Sequence, residues 1–97
     1  MKIAELRNGD KRVSVEAQVI EKGTPRQVIS RSGTETFTVA DAVVSDDSGK
    51  IKLTLWNEQI AQVNINDRIR IENGYVTSFK GEVQLNVGKY GRMTVNP

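Results

Sequence analysis

Apolar residues at every second position leave this chain little choice but β-structure. Val13, Val15, Ala17 and Val19 alternate with Ser14, Glu16 and Gln18, and Ile51, Leu53 and Leu55 alternate with Lys50, Lys52, Thr54 and Trp56. Successive side chains of a strand point to opposite faces, so each run has one face turned to a core and one to solvent or ligand. Turn signals at Asn8-Gly9-Asp10, Gly23-Thr24-Pro25, Asp46-Asp47-Ser48-Gly49, Asn66-Asp67 and Lys80-Gly81 punctuate the pattern.

Between these breaks the reading is as follows. Ile3 and Leu6 mark a short helical turn lying on the core. A first strand starts at Val13, and residues 26–33 form a polar loop or mobile hairpin tip. A second strand spans roughly 35–45, where Phe37 and Val39 are odd-numbered but Ala42 and Val44 even, so a bulge near Asp41 is expected. The third strand is 50–56, entered through a hairpin in which Gly49 takes a positive φ. Ile60 and Val63 suggest a short helical connector. A fourth strand begins at Ile69 and Ile71, and a final strand turns Val83, Leu85 and Val87 inward and Glu82, Gln84 and Asn86 outward. Five strands with a short helix between strands 3 and 4 predict an all-β oligonucleotide/oligosaccharide-binding (OB) barrel, one domain over residues 1–97. An SH3-like barrel or a small sandwich shares the pattern.

Composition narrows the chemistry. The 97 residues include no cysteine and no histidine, which removes disulfides, thiolate metal sites and the commonest general base. Ser48-Gly49-Lys50 lacks the upstream glycine of a phosphate-binding loop, and Asp41, Asp46 and Asp47 read as turn residues before metal ligands. No catalysis, metal or cofactor is expected. No run approaches a membrane span and no signal-peptide pattern opens the chain, so an intracellular, cytoplasmic and nucleoid-associated protein is expected. The net charge of +2 is slight.

The aromatic supply is small: one Trp, two Tyr and two Phe. Trp56 shares the outward face of Lys52 and Thr54, unless the strand stops at Leu55 and the indole caps the barrel mouth. Tyr75 and Phe79 have core parity counted from Ile69 and Ile71. A one-residue bulge at Asn73-Gly74 flips them outward with Thr77 and leaves Val76 inside. Flat rings beside Lys50, Lys52 and Lys80 and the polar Thr54, Thr77, Gln84 and Asn86 make a surface on which bases can stack. Arg26 and Arg31 in the long loop, and Lys89, are further candidates for backbone contact.

These residues resemble a known family. Ile51-Lys52-Leu53-Thr54-Leu55-Trp56, Ile71-Glu72-Asn73-Gly74-Tyr75, Thr77-Ser78-Phe79-Lys80-Gly81 and Val83-Gln84-Leu85-Asn86 are similar to crenarchaeal-type single-stranded DNA-binding proteins, as is the Asp46–Gly49 hairpin. The likeness is strongest from Asp41 to Gly88, and the human sensor-of-single-strand DNA-binding proteins share a fainter version. It implies one OB-fold that binds single-stranded DNA in replication, recombination and repair, with Trp56, Tyr75 and Phe79 stacking on bases. Tyr75 stands where crenarchaeal relatives often carry tryptophan, and Asn86 where the human relatives carry another tyrosine. The family's acidic C-terminal tail, used for partner proteins, does not follow Pro97 in this sequence.

The expectation is a monomer that binds single-stranded DNA with little sequence preference, alongside replication and repair proteins. Nothing in the residues selects against a 2′-hydroxyl, so single-stranded RNA is a variant of the same reading. The alternative is a protein-interaction or oligomerisation OB module whose partner covers the aromatic patch.

Overall fold

The alternating segments roll up because β1 (Lys11–Lys22) finds a partner on each edge. In the computed structural model, which describes residues 1–88 and 90–96, the C-terminal part of β1 pairs with β3 (Thr36–Asp46). Its N-terminal part pairs with β5 (Arg68–Phe79). β3 continues into antiparallel β4 (Gly49–Trp56), β4 runs parallel to β6 (Glu82–Asn86), and β6 pairs back onto β5. The ring β1-β3-β4-β6-β5 is therefore closed, and closure removes the unpaired edges that a small sheet would expose. This is the five-stranded OB barrel.

Among the described residues, two strands lie outside the ring: β2 (Arg26–Ile29) pairs with β3, and β7 (Arg92–Val95) pairs with β5. The segment expected as a polar loop or a mobile hairpin tip thus forms the strand of a hairpin arm, although none of the β2 residues is buried. Helix α1 (Glu58–Gln62) joins β4 to β5, the third and fourth strands of the barrel, and β2 shifts the chain-order count by one. A 3-10 turn at Ile3–Glu5 precedes β1.

The inward positions build one core from Val13, Val15, Ala17 and Val19, Ala40, Ala42 and Val44, Ile51, Leu53 and Leu55, Ile69 and Ile71, and Val76 and Leu85. Ile3 and Leu6 from the 3-10 turn and Ile60 and Val63 around α1 join it. Each buried Val, Leu or Ile contributes about 1.5–3 kcal/mol by leaving water.

Several local expectations change. β3 and β4 stay in register from Val39–Trp56 to Asp46–Gly49, so there is no bulge at Asp41. Ala40, Ala42 and Val44 face inward, and Phe37, Val39 and Asp41 belong to the opposite face. Gly49 does not adopt a positive φ. The two-residue turn is instead held by Asp46, whose Oδ1 accepts the Ser48 N–H at 2.7 Å, the Gly49 N–H at 3.1 Å and the Ser48 hydroxyl. Its Oδ2 accepts the Ile3 N–H at 2.9 Å, tying the N-terminal turn to the hairpin. Burial would raise this carboxyl, but those hydrogen bonds outweigh it and hold the group down to about 2. Val83 is exposed, because the β5–β6 hairpin projects past the last inward pair, Val76 and Leu85.

The break at Asn73-Gly74 is a bulge. Val13 opposes Gly74 and Val15 opposes Ile71, so β5 carries one residue more than β1 across this step, and Asn73 sits at φ +58°. Gly74 then points inward, where a Cβ would stand 2.9 Å from the Asn86 carbonyl oxygen and 3.0 Å from Ile71 Cγ2. Only glycine lets the strand approach so closely. After the bulge, Val76 is buried while Tyr75, Thr77 and Phe79 face out.

Candidate nucleic-acid interface

Trp56 ends β4 on the outer face, 37 % exposed, so it is not a core cap. Asn57 fixes that strand end: its N–H donates to the Thr38 carbonyl at 2.8 Å, and its Oδ1 accepts the Thr38 N–H at 3.1 Å. Gln59 Oε1 accepts the Trp56 backbone N–H at 3.0 Å. Phe37 meets the indole edge-on. Val39, the β3 neighbour of Trp56, is fully covered on this outer side.

From Trp56 a hollow of about 330 Å³ opens across β4, β6 and β5, with Thr54, Thr77 and Asn86 between Trp56 and Phe79. Thr54 and Asn86 have the expected outward parity, but their neighbours close over them and they form a buried floor. The Asn86 amide donates to Thr77 Oγ1 at 3.0 Å. Gln84 is half-buried beside it. Phe79 is well exposed at the end of β5, and the Lys80 ammonium lies 5.4 Å from its ring centroid. Lys80 takes φ +52° and Gly81 φ +81°, the backbone of a two-residue hairpin turn.

Tyr75 occupies an adjoining hollow rather than that of Trp56 and Phe79, and Thr77 lines both. Its ring lies on Gly88, where a Cβ would come within 2.8 Å of the ring Cε1. The three rings therefore share one face in two depressions, both lined by Thr77.

The cations are less concentrated. Arg26 reaches from β2 to Asp41 at 3.3 Å, and Lys52 to Glu82 at 3.3 Å. Such solvent-facing pairs contribute little to stability and exchange partners readily. Lys50 is exposed further along β4, opposite Ser45, and Arg31 sits in the turn that joins β2 to β3; neither lines the hollow. Lys89 lies outside the described residues. Asp41, as the carboxylate held by Arg26, and Asp46, as the turn cap, are occupied structurally. Among the described residues, no three acidic side chains gather as metal ligands would.

Sequence reasoning missed Phe37, Val39, Val28 and Asp41 as parts of this face. Counting straight back from Val44 by twos would have placed Phe37, Val39 and Asp41 outside.

This barrel, with rings and amides on its outer face, defines an OB-fold, and the comparisons with known proteins give the family. Residues 6–95 match the family model "Single-stranded DNA binding protein Ssb-like, OB fold", and the chain belongs to that family. It is 36% identical over 87 residues to the single-stranded DNA binding protein Ssb of Saccharolobus solfataricus, an alignment covering 90% of this chain and 57% of that protein. It is 31% identical over 96 residues to replication factor A of Methanothermobacter thermautotrophicus, covering 98% of this chain and 12% of that protein. The chain thus spans little more than half of the first relative and a small part of the second. Among solved structures, the OB domain of Ta0387 from Thermoplasma acidophilum superposes with a TM-score of 0.82 at 27% identity, over 96% of this chain and 82% of that one.

Proposed function

We propose that this chain is a single OB-fold unit that binds single-stranded DNA with little sequence preference, stacking bases on Trp56, Phe79 and Tyr75. The extra residue at Asn73 carries this reading, because it sets Tyr75, Thr77 and Phe79 on the outer face that Trp56 occupies by plain alternation. Each stacked base is worth about 1–3 kcal/mol, and every base offers a π-face, so the surface tolerates sequence. Thr77 and Gln84 supply hydrogen-bonding groups between the rings, above the floor that Thr54 and Asn86 form. Arg26, Lys52 and Lys80 meet the backbone, with Lys50 and Arg31 further out, and Lys89 is kept as a candidate on charge alone. With a net charge of only +2, stacking contributes a large share of the affinity.

The names of the relatives support a role in replication, and recombination and repair follow as further settings where single strands are exposed. Partner replication and repair proteins, a monomeric state and an intracellular location belong to the same reading; among the described residues no helix is long and apolar enough to cross a membrane. The fainter kinship with the human sensor-of-single-strand proteins rests on the shared motifs alone. No catalytic step is assigned to the chain.

Matched oligo-dT and oligo-U titrations at graded salt test the proposal. Binding to both strands, or to DNA alone, is expected, with log affinity falling against log salt at a slope of about −0.7 per phosphate contacted. No binding at low salt refutes it.

A further inference from the structure

Beyond Tyr75 the groove continues into the hollow of about 490 Å³ that holds its ring, within the range of small-ligand sites. One wall is the segment before β1. The Gly9 N–H donates to the Val76 carbonyl at 3.0 Å and the Val76 N–H to the Asp10 carbonyl at 2.9 Å, so this segment is bonded to the β5 edge. The opposite wall carries Gly88 and Tyr90, and the Gly91 N–H donates to the Gly88 carbonyl at 2.9 Å. The Asn73 amide ties Tyr90 to β5 by donating to its carbonyl at 3.2 Å. Tyr90, an aromatic residue to which the three-ring face gives no part, stands on this wall 82 % exposed.

Two features point to a ligand rather than to idle surface. Arg12 and Asn73, both lining the hollow, are held in the left-handed region at φ +56° and +58°. Asparagine adopts this region readily, whereas an arginine there is uncommon, and such residues are enriched at binding sites. Arg12 is the extra residue of a second bulge, this one in β1, since Lys11 opposes Tyr75 and Val13 opposes Gly74. It and Lys11 put two exposed cations on the rim, while the Asp10 carboxylate accepts the Arg7 N–H at 2.9 Å. Rings below, amides at the side and cations at the rim suit a nucleotide.

Resting on the single-strand reading above, we propose that this hollow is a fourth subsite. It takes one further nucleotide of the bound strand, the base against the Tyr90 ring and the phosphate by Lys11 and Arg12. Thr77 lines both hollows and so marks where the strand passes from one to the other. The strand would then run along the outer row Phe79, Thr77, Tyr75 and on to Tyr90.

The test is a titration of the wild-type chain, Tyr90→Ala and Tyr90→Phe with oligo-dT graded from about 4 to about 12 nucleotides, within the span that one OB-fold covers. The wild type should gain about tenfold more affinity from the shortest to the longest strand than Tyr90→Ala does, the worth of one stacked base. Tyr90→Phe, which keeps the ring, should follow the wild type. Three results overturn the subsite while leaving the three-ring face intact: Tyr90→Ala tracking the wild type at every length, Tyr90→Ala losing one constant factor at every length, or Tyr90→Phe failing as Tyr90→Ala does. A wild type that binds none of the strands overturns the underlying reading and the subsite together. Tyr90 is too exposed for either change to unfold the barrel, and a far-ultraviolet spectrum verifies this.

Discussion

Phe37 meets the Trp56 indole edge-on, with ring centroids 5.8 Å apart and planes at 80°. One residue of the β2–β3 arm thus braces the ring that closes one end of the groove. Aromatic pairs of this geometry are worth about 0.5–1.5 kcal/mol. Phe37→Ala should weaken oligo-dT binding by about that amount through a loosened Trp56. Leu53→Ala, which empties a fully buried core position, should instead cost about 2–5 kcal/mol of stability. Thermal melts beside binding titrations separate the two effects.

Gly88 has the same relation to Tyr75. The Cβ of Gly88→Ala would crowd the Tyr75 ring edge, the outer part of a side chain that can swing aside. The melting temperature should change little, whereas oligo-dT affinity should fall as Tyr75 leaves its stacking position. Equal affinity for Gly88→Ala and wild type would mean that Tyr75 does not stack.

Asp41 places a carboxylate in the groove and occupies Arg26. Asp41→Asn should strengthen binding, since it removes a charge of the same sign as the phosphates and releases the guanidinium. Arg26→Ala should weaken binding and reduce the salt slope by about 0.7, one phosphate contact. Plots of log affinity against log salt for the three proteins give both numbers.

Asp46 makes stability sensitive to acid. Its hydrogen-bonded carboxyl is held down to about 2, below the ordinary aspartate value of 3.8. The folded form therefore binds its proton less tightly than the unfolded chain, and the stabilisation is present above pH 3.8 and lost as pH falls through 2. Asp46→Asn should be less stable at neutral pH and show a shallower loss of stability between about pH 4 and pH 2. Urea denaturation across that range tests it.

The legibility of this molecule in its sequence follows from where alternation is unbroken. Ile51, Leu53 and Leu55 opposite Trp56 could be read directly, because β4 carries no bulge. Tyr75 and Phe79 could be read only through Asn73-Gly74, whose turn-forming residues advertise the extra residue in β5. Phe37 and Val39 were misplaced because apolar character was equated with the core, whereas here it belongs to the outer face beside Trp56. β2 left no signal: a strand that buries none of its residues has no apolar period to detect. β7 was missed as well, although Met93 and Val95, two apart, pack against the core. Asn86 shows the limit of parity, which gives a side chain's face but not whether its neighbours cover it.

Trp56 is the only tryptophan in the chain and lines the groove, so its emission reports on that surface alone. Titration of the wild-type chain with oligo-dT at low salt is the most direct measurement. Stacking requires that the emission be quenched to saturation, and that Trp56→Ala bind the same strand about 1–3 kcal/mol more weakly while melting as a folded barrel. Oligo-dT binding that leaves the emission unchanged and is untouched by Trp56→Ala would contradict the aromatic face as the binding surface.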